Sequence, residues 1–423
     1  MQLEKPQLFA DKKSFIAVMA FLFLATLLHL FVQYQKYQLF IEKPFFYTQV
    51  KVLSQNHKTK GKRAYEVLKV RDVHGLTFYT TTYRKKSYLN QTLRLQLFPD
   101  KKISFLGYIG TFFIKSRIKS TSEEEPSFKA LLYEKVERQH DDESLKSFYK
   151  AIFFATPIAK ELRKKISMLG TSHLVALSGF HLGILWAVVY GFLSLFYRQL
   201  QQRYFPYRYA LLDVGSVTIV LLGFYLWFVD FPPSLLRSYA MVLAGWMIVL
   251  MGVELVSFTF LATILMLLVA LFPSLLVSLS FWLSIAGVFY IFLLLRHTKE
   301  HNKWIIALLF IPFGIFVFML PVVHMIFDVT TPYQLYSPLI SLLFTPFYPV
   351  VILAHLVGFG DLFDSILLYL FALPDEKSLS HQLLPLWAGG SYVLLSVAAI
   401  YSRRVFYLLF FIAFIYALSL FIF

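Results

Sequence analysis

Apolar residues follow three successive patterns along the 423-residue chain. The first is a run of 18, Phe15 to Val32, preceded by Lys12 and Lys13. No small-x-small cleavage site follows, so it predicts an uncleaved transmembrane helix rather than a removed signal peptide. The second pattern runs from Phe45 to Lys115. Its segments TQVKVLSQ, AYEVLKVRD, LTFYTTTY, LRLQLF and ISFLGYIGTFFIK are short, β-branched and aromatic. Several alternate at the strand period, with turn signals at His57–Gly61, His74–Gly75 and Pro99–Asp100. Five such strands predict a small OB-like barrel. Residues 116–166 then carry charges with apolar residues at helical spacing (Phe148, Ile152, Phe153, Ile158, Leu162), interrupted by Pro157. They predict one or two amphipathic helices, on a membrane surface or docked on the barrel.

In the third pattern the apolar runs nearly abut. Spans are predicted over 173–197, 209–229, 235–252, 255–272, 275–295, 304–327, 334–357, 383–401 and 405–423. A shorter run at 363–373 covers only about 16 Å as a helix, against a hydrocarbon core of ~30 Å. It predicts a half-helix, a re-entrant segment or a short crossing. The fold class is thus a polytopic α-helical membrane protein with a small extracytoplasmic all-β domain. Its parts are an N-terminal transmembrane helix (1–35), a basic β-rich OB-like domain (36–120), an amphipathic helical linker (121–167) and a polytopic domain of nine or ten spans (168–423).

Composition agrees: 58% of residues are hydrophobic and 15% charged, against roughly 25% charged in soluble domains. The absence of cysteine excludes disulfides, iron–sulfur clusters, thiolate zinc sites and cysteine nucleophiles. The net charge of +16 is not spread evenly: Lys36 to Ser120 holds 18 basic and 4 acidic residues, whereas Ser167 to the C-terminus holds 10 and 9. The β-rich insert therefore suits a polyanion or an anionic membrane surface. Short basic loops around Arg198–Arg208, Arg296–Lys303 and Arg403–Arg404 are expected in the cytoplasm, which places the N-terminus inside and the insert outside.

Three apolar stretches carry candidate chemistry. In Gly170–Gly183, His173, Ser178 and His181 lie within or at the edge of a span, and Ser178-Gly179 invites a break. Such residues line a pathway, or pack between helices as small groups and cross-helix donors. Arg237, after Pro232-Pro233, either snorkels or contacts a phosphate or carboxylate. Ser284, in Ser280-Phe-Trp-Leu-Ser284, lines a groove or permits close packing. Pro332, Pro338, Pro346 and Pro349 predict kinked or discontinuous spans nearby. His297-x-x-x-His301 lacks a third metal ligand, there is no P-loop, and no acid lies near Ser178 and His173 to orient a nucleophile. Neither a cofactor nor catalysis is expected. In the insert, 13 aromatic residues between Pro44 and Lys115 are interleaved with cations, as single-stranded nucleic acid would require, although many will be core. The candidate contacts are Arg84, Lys85 and Lys86 in one loop and Lys60, Lys62 and Arg63 at another.

Together these features resemble the ComEC-type competence family of inner-membrane DNA-uptake channels. The resemblance is carried by His173-Leu-Val-Ala-Leu-Ser178-Gly179-Phe-His181-Leu-Gly183, Pro233-Ser-Leu-Leu-Arg237 and Phe281-Trp-Leu-Ser284. It implies passage of single-stranded DNA across the cytoplasmic membrane during natural transformation. It also implies an outer DNA receptor, and a cytoplasmic ATPase or other energy source. Many members add a metallo-β-lactamase-like domain proposed to degrade the other strand; this sequence stops after a membrane span, so it is not itself expected to be that nuclease, which leaves room for a separate one. Where the family often has Asn, Ser341 stands. The competing reading is a transporter for a small anion or polar lipid precursor, with the barrel as an accessory.

Overall fold

The computed structural model describes residues 8–9, 11–60, 63–84, 86–88, 91–122, 128–250 and 257–422. They form two compact units: Phe9–Leu131 with Ala262–Leu279, and Leu132–Leu261 with Ser280–Phe423.

In the first unit, helix α1 (Lys12–Glu42) starts at Asp11, whose carboxylate accepts the Ser14 N–H at 2.8 Å. It extends past the predicted limit at 35 because Tyr37, Phe40 and Ile41 pack into the core of the following sheet. Six strands follow instead of five: β1 (Phe46–Lys60), β2 (Arg63–Asp72), β3 (Thr77–Thr82), β4 (Thr92–Phe98), β5 (Thr111–Phe113) and β6 (Lys115–Ser122). Their order is β5-β3-β2-β1-β4-β6, antiparallel except for β3–β5. The extra break is local. Ser104 caps a short helix α2 (Phe105–Ile109) through the Gly107 N–H at 3.1 Å, leaving β5 to form after it. Alternation sends Val50, Val52, Leu68, Val70, Phe78, Leu93, Leu95 and Leu97 inward. Thr80 Oγ1 and Ser116 Oγ lie 2.7 Å apart, so β6 curls back towards β3.

The second unit begins with α3 (Phe128–Glu137), α4 (Glu143–Phe154) and α5 (Lys160–Met168). These amphipathic helices are built into the helical core. Leu145, Phe148, Ile152 and Leu162 cluster with Phe344, Tyr348, Leu367 and Phe371. After α6 (Ser172–Val175) come α7 (Gly179–Tyr204), α8 (Ala210–Phe228), α9 (Pro233–Leu250), α10 (Phe258–Leu271), most of which belongs to the first unit, and α11 (Leu279–His297). Then follow α12 (Lys303–Ile305), continued through a π turn into α13 (Ile311–His324), and α14 (Ser337–Val357), preceded by a 3₁₀ turn at Pro332–Tyr336. A short antiparallel ladder pairs β7 (Val329–Thr330) with β8 (Ser380–His381) across the intervening α14 and α15 (Asp364–Ala372), and α16 (Leu386–Ala398) and α17 (Arg403–Ile422) follow.

Among the described residues, seven helices are long and apolar enough to cross a membrane, and the protein is a multi-pass membrane protein. α14 is continuous through Pro346 and Pro349, so of the two expected alternatives, a kinked or a discontinuous span, it is not the discontinuous one. The interruption falls instead at residues 176–178.

Candidate functional site

The chain turns after α5 at Gly170, whose φ of +67° favours glycine. Two contacts clamp the turn: Ser337 Oγ donates to Gly170 O at 3.1 Å and Thr331 Oγ1 to Met168 O at 2.5 Å. One helical turn, α6, follows. Ala176, Leu177 and Ser178 then leave the helix, and α7 starts at Gly179. Ser178 is extended (φ −141°, ψ −179°) and makes no side-chain cap bond. The positive end of a 26-residue helix therefore opens at the break.

Two elements hold this gap. The chain enters α9 through Asp230 and Phe231, both left-handed at φ 63° and 51°, a costly conformation for non-glycine residues. That reversal sets the first turn of α9 against the break. Ser234 Oγ donates to Leu177 O at 2.6 Å, and a Cβ added at Gly179 would lie 3.0 Å from Ser238 Oγ.

The second element is α14. Ser337, Ser341, Phe344 and Tyr348 recur at helical spacing on one face. Ser341 gives its proton to Ser337 O at 2.7 Å, so its oxygen accepts from His173 Nε2 at 3.2 Å. Ser341 thus joins His173 to α14 through its hydroxyl. His181 is fully buried against Phe344 and Tyr348, at ring distances of 5.2 and 4.9 Å. Its Nδ1 is 3.4 Å from Ser178 Oγ, and its Nε2 has no hydrogen-bond partner among the described residues.

Arg237, one turn into α9, donates from Nη2 to Ser280 Oγ on α11 at 2.7 Å. Ser284 is exposed one turn further along α11. The three stretches singled out in the sequence thus meet in a single helical unit. His297 is occupied elsewhere: its Nε2 is 2.9 Å from Ala399 O, and Glu300 pairs with Arg403.

In the β-rich unit only part of the expected contact set falls among the described residues. Lys62 and Lys85, and the side chains of Lys60 and Arg63, lie outside the described residues. Arg84 is exposed, and the loop carrying Lys86 is tied to β1 by Gln55, which donates to Lys86 O at 3.0 Å and accepts from Tyr88 N at 2.8 Å. The sequence reading missed the outward face of the sheet. There Lys69 lies over the Tyr79 ring at 5.9 Å, Arg94 over Tyr47 at 5.5 Å and Arg117 over Phe98 at 5.5 Å. Lys51 and Arg71 pair across β1 and β2 between them. The signal was available, since each cation alternates with inward residues, as in Leu68-Lys69-Val70-Arg71 and Leu93-Arg94-Leu95.

A family model described as Competence protein matches residues 155–421, which contain the break, both clamping helices and Arg237. The chain belongs to the competence protein family. No curated protein and no solved structure matches it. In this competence protein the matched region begins at the end of α4, so the family segment includes the Gly170 turn and the whole of α14.

Proposed function

We propose that this competence protein passes single-stranded DNA across the cytoplasmic membrane during natural transformation, with its β-rich unit outside. The observation that carries this reading is the interrupted helix at 176–178, clamped on one side by Ser234 and on the other by the polar and aromatic face of α14. A gap of this kind gives a polar chain backbone partners at membrane depth. It exposes a helix N-terminus suited to phosphates, beside Arg237. His173, Ser178, Gly179, His181 and Ser284 complete the proposed lining.

In the OB-like β unit, alternating cations and rings on one sheet face fit a flexible polyanion whose bases stack and whose phosphates pair. Moving one negative charge into a negative interior costs ~2.3 kcal/mol per 100 mV. An ATPase or another energy source must therefore pull the strand, and an outer receptor would deliver it.

The test is transformation frequency with labelled-DNA tracking in a strain deleted for this protein. Loss of cytoplasmic DNA, with surface DNA retained, is the expected result. Normal entry of DNA ends the proposal.

A further inference from the structure

His140 forms a hydrogen-bonded row with two residues distant from it in sequence, His355 and Asp364, in the helical unit; the two rings are buried and the carboxylate is half-buried. His140, between α3 and α4, places Nδ1 2.8 Å from Asp364 Oδ2 and Nε2 2.9 Å from His355 Nε2. His355, on α14, places Nδ1 2.8 Å from Val351 O. The two histidines are 4% and 5% exposed. Tyr149 stacks on the His140 ring at 4.3 Å, and Phe153 meets the His355 ring at 4.9 Å. Gln139 braces the row, accepting from Gly360 N at 2.8 Å and donating to His355 O at 3.2 Å.

The chemistry of these atoms fixes a proton count. A carbonyl only accepts, so His355 Nδ1 carries a proton. The nitrogen–nitrogen contact needs one proton, and so does the contact between His140 and Asp364. Three contacts need three protons, whereas an ionised carboxylate with two neutral imidazoles supplies two. We infer that Asp364, His140 and His355 form a proton-binding site that holds one proton more than that neutral-ring state.

The proton sits on His140, whose two N–H groups then face the Asp364 carboxylate and the His355 lone pair. The charged groups around it are few. Lys135 donates from Nζ to Leu356 O at 3.1 Å, Asp361 lies near Tyr149, and Glu137 pairs with Lys150. His355 also lines an apolar groove of about 180 Å³, with Lys135, Phe153 and Tyr348. Losing the proton turns two lone pairs on each other and leaves Asp364 without a counter-charge. This inference does not depend on the cargo.

The experiment is solid-state NMR of the full-length protein, labelled with ¹⁵N-histidine and held in lipid bilayers at pH 8. The expected spectrum contains one doubly protonated ring with a correlation across an N–H···N bond to a second ring. The doubly protonated ring vanishes in Asp364→Asn, which removes the charge. Absence of the ring-to-ring correlation from the wild-type spectrum overturns the inference, even if the variant fails to fold. Persistence of the doubly protonated ring in a folded Asp364→Asn protein also overturns it.

Discussion

The Ser234 hydroxyl donates to the Leu177 carbonyl at 2.6 Å, so the first turn of α9 satisfies a backbone group that the interrupted helix cannot. A lost buried hydrogen bond that strands its acceptor costs about 1–3 kcal/mol. Ser234→Ala should lower the thermal stability of the purified protein by that order and reduce DNA uptake. Unchanged stability would mean that the carbonyl finds another donor.

Gly179 and Gly183 give opposite expectations within one motif. A Cβ at Gly179 meets Ser238 Oγ at 3.0 Å, whereas at Gly183 nothing lies within 4 Å. Gly179→Val should push α7 from α9 and cut transformation at least tenfold, while Gly183→Ala leaves it within twofold. Equal effects would show that the close approach is unimportant.

Arg237 joins α9 to α11 through Ser280. Arg237→Lys keeps the charge but loses the planar fork. Transformation should fall at least fivefold in this variant, with the amount of protein in the membrane unchanged. Wild-type transformation would reduce Arg237 to a generic cation.

On the sheet, Lys69→Gln, Arg94→Gln and Arg117→Gln combined should weaken single-stranded DNA binding by the full chain. If each cation pairs one phosphate, the slope of log affinity against log salt drops by roughly 2, at about 0.7 per contact. Arg84→Gln should change it by less than one. The reverse order would return the contact surface to the loop.

Asp72 tests the β unit through pH. Its carboxyl is buried in the β2–β3 turn, where it accepts from His74 N at 2.9 Å and Leu76 N at 2.8 Å. Burial raises its pKa above the ordinary value, and those N–H donors pull against the rise. The folded state therefore favours the protonated acid. That contribution is present below the ordinary carboxylate value near 4 and is lost as pH rises through the raised folded value. Asp72→Asn retains the acceptor oxygen. Relative to this variant, wild-type thermal stability should decline as pH rises from 4 to 7. A parallel pair of pH profiles would contradict it.

Much of the helical break was legible before any tertiary contact. Ser178-Gly179 among apolar neighbours, with histidines on either side, marks a segment that an ordinary span does not tolerate. The role of α14 was not legible. Its prolines suggested discontinuity, yet the informative pattern was the spacing of Ser337, Ser341, Phe344, Tyr348 and His355. In a helix apolar all round, periodicity does not say which face meets protein. The β unit shows the converse: strand alternation separates inner from outer residues at once, but attention to charge-rich turns obscured the outward row.

The sequence by itself determined the membrane class, the β-rich basic insert and the place where a helix must yield. Those follow from hydrophobicity, alternation and backbone chemistry, which act over a few residues. Only the tertiary structure decided that Ser341 serves His173, that Arg237 reaches Ser280, and that Asp364 and His355 close on His140. Each of those pairings joins residues 43 to 224 positions apart. Their partners are chosen by how whole helices pack, which no local pattern encodes.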